Sequence, residues 1–281
     1  MPGRSAPQRA FRTERGFALL IVLWTLVLIA FIVAHVTAAG RTEVQIAANL
    51  SANAAAQAAA DGAIYQAIFQ VSDPRPDHHW TIDGSTHELV IGKSRIMLRI
   101  EDEAGRINPN LASGALLQGL LRASGGDPQL AATVASAIAE WVGSTGTPRP
   151  PAELVAEYRA AGLDYAPPGS PLETVDELGR VRGMTADLLA ALRPHLTLFG
   201  PAEPNPASAD PIVAAALALA GEGASVAGPG ANAGAPDLVI ARIHAIAQGP
   251  GNAQVSRAAI VRIGPAIKRG YEPLAWGDTV E

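Results

Sequence analysis

An uninterrupted apolar run dominates the first part of this chain. It extends from Phe17 to Ala34 and continues in small residues as far as Ala39, before the charge at Arg41. About eighteen uncharged residues are enough for one helix to cross the hydrocarbon core of a bilayer. The pattern therefore predicts a membrane-spanning N-terminal helix.

The residues that follow continue a helical pattern. From 41 to 71 the chain is rich in alanine, lacks proline and repeats apolar side chains such as Ile64, Ile68 and Val71 at helical spacing. We expect the membrane helix to extend through this stretch and to end at Ser72-Asp73-Pro74, because proline cannot continue a helix.

Short β-like patterns occur in two separate parts of the chain. Residues 87–91 and 95–101 predict a hairpin joined at Gly92-Lys93-Ser94, and the acidic run Glu101-Asp102-Glu103 is interpreted as a solvated strand end. Three more strands are predicted near the C-terminus, over 238–247, 254–263 and 271–276.

Between these two groups of strands the pattern is helical. Proline and glycine groups separate the segments, and residues 221–236 are rich in glycine. The chain is thus predicted to be α+β, with a helical insert between strands. The predicted helices of the insert cover 116–121, 131–142, 152–161, 187–192 and 211–220.

Composition narrows the choice of function. The 281 residues carry a net charge of -5 and include no cysteine, so no disulfide can hold the fold. The modest acidity argues against a nucleic-acid partner.

The segment before the apolar run is basic. Met1 to Gly16 contains four arginines and one acid, and positive flanks stay cytoplasmic, so the bulk of the chain should lie across the membrane. The Gly16-Phe17 junction resembles a prepilin leader that is cut behind Gly16, with the apolar helix retained. A secretory signal cut before Ala39 is the rival interpretation, but the apolar run is longer than such signals need.

Besides these elements, the chain contains a series of short motifs in a fixed order. They are Gly16-Phe17, Ala104-Gly105-Arg106-Ile107-Asn108-Pro109-Asn110, Glu140-Trp141, Ala152-Glu153 with Tyr158, and Thr174-Val175-Asp176-Glu177-Leu178 with Val181 and Gly183-Met184. Through these motifs the whole chain resembles the type II secretion system protein K family (general secretion pathway protein K), the large minor pseudopilins. One further feature of the resemblance is Ile21, the fifth residue counted from Phe17, where most pilin-like proteins carry glutamate and this family does not.

The resemblance implies a pilin-like fold, in which a long N-terminal helix packs on an antiparallel sheet and a large all-α domain is inserted between strands. It also implies a division of the chain. The expected parts are a leader at 1–16, a transmembrane part of the helix at 17–39, its periplasmic part at 40–73, a sheet domain at 74–110 and 236–281, and an inserted helical domain with its linker at 111–235.

The function implied is that of a non-enzymatic minor pseudopilin at the tip of the type II secretion pseudopilus, where it initiates or caps the filament and so takes part in protein export across the outer membrane. Cleavage after Gly16 and methylation of Phe17 are implied as well. The expected partners are the minor pseudopilins I and J, the prepilin peptidase and inner-membrane lipid, without nucleic acid or a small-molecule substrate. The protein would be single-pass in the inner membrane, with its C-terminal domain in the periplasm.

The missing glutamate has a physical meaning. In an apolar filament core a lone carboxylate is costly unless a neighbour's N-terminal ammonium pairs with it. A subunit with Ile21 needs no partner above it, and its Phe17 amine can still receive the carboxylate of the subunit below.

The chain offers little for catalysis or metal binding. Gly92-Lys93-Ser94 lacks the earlier glycine of a phosphate-binding loop, and His78-His79 has no third ligand and is expected to face solvent. The resembled family can bind calcium through acids directly after the tryptophan, but here the five residues after Trp141, Val142 to Gly146, include no aspartate. Glu140 and Glu153 are the remaining weak candidates, so we expect the calcium site to be weakened or absent.

One alternative function stays open. Residues 178–184, with Gly183 at the turn, resemble a helix-hairpin-helix, which would make the protein a membrane-anchored DNA-binding protein. Acidic residues surround this turn, which favours a purely structural role.

Overall fold

The computed structural model describes residues 14–75, 77–144, 149–223 and 238–279. The chain divides into two compact units, 1–54 and 55–281. The helices are α1 (Glu14–Ser72), α2 (Gly114–Ala123), α3 (Pro128–Val142), α4 (Pro151–Ala160), α5 (Ala186–Leu192) and α6 (Pro211–Gly223), and the strands are β1 (Asp83–Ile91), β2 (Ser94–Asp102), β3 (Val239–Gln248), β4 (Gln254–Ile263) and β5 (Tyr271–Gly277).

Helix α1 is continuous through the apolar and the alanine-rich stretches. It ends at Ser72, whose hydroxyl donates to the carbonyl of Ile68 at 2.6 Å, and Pro74 follows. Side chains from 17 to 37 are all exposed. Among the described residues, α1 is the one helix with the length and composition needed to cross a membrane.

The five strands form one antiparallel sheet in the order β1-β2-β3-β4-β5. The first hairpin turns at Gly92, whose φ of +61° is favourable for glycine. Strand β3 then pairs with β2, for example Leu98 opposite Ala245, although all the helices after α1 lie between them in the chain.

The second half of α1 covers one face of the sheet. Its buried positions are mostly alanine, such as Ala56, and the Cβ of Ala56 lies 3.3 Å from the position of a Cβ built on Gly249. Small side chains allow this close approach of α1 to the connection between β3 and β4. The facing positions of the sheet are the alternate apolar residues of β2, namely Ile96, Leu98 and Ile100.

The helical insert has its own apolar core. Helix α2 packs against α3 and α6, and its leucines supply much of that core. Local signals define the ends of these helices: Ser113 caps α2, Asp127 caps α3, and Gly143 closes α3 with a φ of +73°. The predicted fold class, a long N-terminal helix on an antiparallel sheet with an inserted all-α domain, is confirmed.

Candidate assembly helix and the joint between sheet and helices

The residues proposed for processing and filament contacts lie at the start of α1. Gly16 and Phe17 are within the helix, Phe17 is 68% exposed and Ile21 is 49% exposed. Ile21 therefore presents an aliphatic side chain, with no ionisable group, on the surface of the apolar segment. Cleavage at Gly16, methylation of Phe17 and the role of Ile21 stay predictions.

Asp61 attaches the second half of α1 to the sheet. Its Oδ1 accepts hydrogen bonds from Nε of Arg257 at 2.9 Å and from Nε1 of Trp276 at 3.1 Å. Arg257 also donates to Asp278 at 2.8 Å, and the bonds to the two carboxylates raise the pKa of Arg257. Sequence reasoning missed Asp61, although it is the only acid between Glu43 and Asp73 and this isolation was the available signal.

Aromatic side chains extend this attachment. The ring of Tyr65 on α1 lies 5.1 Å from that of Trp276 and 6.4 Å from that of Tyr271, both on the edge strand β5. Tyr65 is still 53% exposed and Phe69, one turn further along α1, is 62% exposed. The helix thus keeps an aromatic surface outside its contact with the sheet.

The prediction that the acidic run 101–103 is a solvated strand end is wrong for Glu103, which is buried. The chain leaves β2 at Asp102 and enters a 3-10 turn, so strand alternation no longer applies. The turn directs Glu103 inward, where its side chain is 0% exposed and meets the 7% exposed side chain of Arg242. Both contacts, Nε to Oε2 and Nη2 to Oε1, are 2.6 Å long.

The electrostatics of this pair are those of a compensated buried charge. Burial alone raises the pKa of Glu103, but the hydrogen bonds and the charge of Arg242, with help from the Thr197 hydroxyl, outweigh it. The pKa of Glu103 therefore lies below its ordinary value. Because Arg242 is on β3 and Thr197 lies between α5 and α6 of the insert, Glu103 connects the sheet to the helical domain.

The Asn-Pro-Asn motif forms the polypeptide joint beside Glu103. The side-chain nitrogen of Asn108, Nδ2, donates to the backbone carbonyls of Leu198 at 3.1 Å and Gly200 at 2.9 Å. The Asn110 side chain donates to the Leu172 carbonyl at 3.1 Å and accepts from the Leu172 amide at 2.7 Å. The two asparagine side chains thus hydrogen-bond to backbone groups in loops, which have no partner in a helix or a sheet. Asparagine suits this role because its side chain both donates and accepts hydrogen bonds.

The glycine of the same motif permits a close backbone contact. A Cβ on Gly105 would lie 2.4 Å from the carbonyl oxygen of Ser208. Ser208 in turn donates its hydroxyl to Asp102 at 2.6 Å. Only glycine fits here without displacing the segment before α6.

The two candidate calcium ligands converge on a guanidinium. Arg149 lies 3.0 Å from Oε1 of Glu140 and 3.7 Å from Oε2 of Glu153. Calcium requires six to eight oxygen ligands, and the sequence from Val142 to Pro148 contains no acidic residue. The described residues include no cluster of three or more histidine, cysteine or acidic side chains that could hold a metal ion. These residues do not fit a calcium site.

The Gly183 turn packs against α3, although Gly183 itself is exposed. Gly183 has a φ of +85°, and a Cβ at this position would lie 3.1 Å from Cγ2 of Val134 on α3. The flanking Val181 is buried, and Arg182 pairs with Glu157 at 3.0 Å. These contacts account for the glycine without a nucleic acid.

Comparisons with known proteins agree with this architecture. Residues 97–201 match the family model described as "Type II secretion system (T2SS), protein K". No curated protein is similar to the chain in sequence.

The fold is also found in a solved structure, the crystal structure of the GspK-GspI-GspJ complex of the type 2 secretion system from enterotoxigenic Escherichia coli. A chain of that structure superimposes with a TM-score of 0.52 and 14% identity, over 84% of this chain and 98% of that chain. At this identity the likeness shows a shared fold. Together with the match over residues 97–201, it confirms the predicted resemblance of this chain to the type II secretion system protein K family.

Proposed function

We propose that this chain is a minor pseudopilin that occupies the tip of a type II secretion pseudopilus and initiates or caps the filament. The family match, the shared fold and the apolar N-terminal helix support a pseudopilin role in secretion. The position at the tip is carried by one observation, the aliphatic Ile21 near the start of α1.

The argument from Ile21 concerns the cost of charge in an apolar filament core. A subunit with a carboxylate at this position is stable only beside a positive charge, which the N-terminal amine of the subunit above would provide. With Ile21 this chain demands no subunit above it. Its own amine at Phe17 remains free to accept the carboxylate of the subunit below.

The same proposal includes the processing and location of the chain. The prepilin peptidase would cut behind Gly16 on the cytoplasmic side, where the arginines of residues 1–16 are retained, and Phe17 would be methylated. Helix α1 would then hold the protein in the lipid of the inner membrane as a single span. Residues from about 40 onward would lie in the periplasm.

The proposed partners are the minor pseudopilins I and J. The solved complex of similar fold contains GspK with GspI and GspJ. In this chain α1 carries large apolar side chains that are more than half exposed beyond the membrane segment, among them Val44, Leu50 and Phe69. Exposed apolar residues at this density favour helical partners that cover them.

A substitution at Ile21 tests the tip position. We expect Ile21→Glu to reduce strongly the amount of a type II cargo in the culture medium, because the new carboxylate has no amine above it at the tip. Ile21→Leu should secrete at the wild-type level. Secretion is measured in a strain whose own protein K gene is deleted and complemented.

The control places the same charge one residue further along the helix. Val22→Glu places the same charge in the membrane segment, but residue 22 points about 100° around the helix axis from Ile21. Intact mass must first show that all variants start at Phe17, so that processing is equal. Wild-type secretion by Ile21→Glu, or equal defects in Ile21→Glu and Val22→Glu, would contradict the tip argument.

A further inference from the structure

Arg149 lies at the centre of three carboxylates that come from two helices. Glu140 belongs to α3, whereas Glu153 and Glu157 belong to α4. The Arg149 guanidinium contacts Glu140 through Nη1 at 3.0 Å, Glu157 through both Nη1 and Nη2, and Glu153 through Nη2 at 3.7 Å. One cation thus bridges the end of α3 and the first turns of α4.

The bridge continues into the next part of the domain. Glu157 also pairs with Arg182 at 3.0 Å, and the Arg182 guanidinium lies 5.9 Å from the ring centre of Tyr158. Tyr158 is fully buried and its ring lies 6.4 Å from that of Trp141. The charged network therefore covers the aromatic part of the helical core.

The electrostatics favour the charged forms of Arg149 and Glu157. Hydrogen bonds to Glu157 and Glu140 raise the pKa of Arg149 further above its ordinary value. The hydrogen bond from Arg149 lowers the pKa of Glu157. The Glu140 side chain is only 7% exposed, so an ionised Glu140 needs a nearby positive charge.

Helix α4 gains from the same contact. Its N-cap residue is Pro150, which provides no side-chain cap, and Arg149 directly precedes it. The guanidinium forms ion pairs with Glu153 and Glu157, which lie in the first and second turns of α4. These pairs hold the residues before α4 against the start of the helix.

We propose that the Arg149 guanidinium holds α3 and α4 together by binding carboxylates from both helices. In this role it takes the place of a bound metal ion. The guanidinium fills the space on which the carboxylates converge, so a divalent cation would have to displace an existing charge. The folded domain is consequently independent of calcium and dependent on Arg149.

Thermal unfolding of the full-length protein in detergent, followed by tryptophan fluorescence, tests this proposal. The wild type should give the same Tm in millimolar calcium chloride and in excess EDTA, because a ligand that binds only the folded state would raise it. Arg149→Ala should lower the Tm by about 3–6 °C. Arg149→Lys should recover part of this loss, since lysine keeps the charge but not the fork.

The matched control is Arg122→Ala. Arg122 is an exposed arginine in the last turn of α2 and has no salt bridge within the part of the chain that the structure describes. Its removal should leave the Tm almost unchanged. A calcium-dependent rise in the wild-type Tm, an Arg149→Ala effect no larger than that of Arg122→Ala, or no recovery in Arg149→Lys would each overturn the proposal.

Discussion

Replacing Glu103 by alanine is expected to lower the free energy of unfolding by about 3–5 kcal/mol. The substitution removes the carboxylate that accepts two hydrogen bonds from the side chain of Arg242, which is only 7% exposed. It also removes the acceptor of the Thr197 hydroxyl. Urea denaturation of the full-length protein in detergent, followed by tryptophan fluorescence, measures the change.

Two controls separate the buried pair from a generic loss of a glutamate. Glu88→Ala removes an exposed carboxylate of β1 and should change the free energy of unfolding by less than about 0.5 kcal/mol. The double variant Glu103→Leu with Arg242→Met replaces the pair by apolar side chains and should lose less than Glu103→Ala. If Glu103→Ala lowers the free energy of unfolding by less than about 1 kcal/mol, the buried-pair account is contradicted.

The same pair predicts how stability depends on pH. The pKa of Glu103 is lower in the folded protein than its ordinary value of 4.5. Its contribution to stability is therefore complete above that ordinary value and is lost as the pH falls through the lowered, folded-state pKa. The stability difference between the wild type and Glu103→Ala should shrink over that acidic range.

The second large effect is expected at Gly119, where α2 and α6 approach each other. A Cβ on Gly119 would lie 2.5 Å from the carbonyl oxygen of Ala216, a backbone atom that can move only with its helix. Gly119→Ala should therefore cost about 2–3 kcal/mol, although alanine is the better helix former. Denaturation with urea reports this loss.

Gly114, at the start of the same helix, is the matched control. A Cβ on Gly114 would meet nothing within 4 Å. The identical substitution should there be neutral or stabilising by up to about 1 kcal/mol. If both glycine variants change the free energy of unfolding in the same direction and by similar amounts, the close contact of α2 and α6 does not cause the effect, and the prediction is wrong.

The regular elements could be predicted because their signals are local. Apolar spacing predicted strands at 238–247 and 254–263, and the structure has them at Val239–Gln248 and Gln254–Ile263. Helix α3 begins at Pro128, three residues before the predicted start, because the Asp127 side chain caps its first turn. Such shifts at helix ends come from capping and not from apolar spacing.

The contacts that join the elements could not be predicted because their partners are far apart in the chain. Glu103 and Arg242 are 139 positions apart, and Asp61 and Arg257 are 196 apart. Alternation within β2 indicates nothing about Glu103, since the strand ends one residue earlier. An arginine within the apolar run of β3 was the one local sign of a buried partner.

Several motifs that carried the family resemblance have structural roles in the fold. Asn108 and Asn110 hold loop carbonyls, Gly105 permits a backbone contact, and Trp141 and Tyr158 are buried in the helical core. These residues explain how the helical domain is built on the sheet. The proposed assembly function instead depends on α1, whose side chains from 17 to 37 are exposed.

Assembly with the minor pseudopilins I and J of the same organism tests the central claim most directly. The three proteins are co-expressed at full length with the prepilin peptidase, extracted in detergent and separated by size exclusion with light scattering. Our account predicts one defined complex that contains this chain, I and J. Elution of this chain alone, while I and J pair with each other, would contradict it.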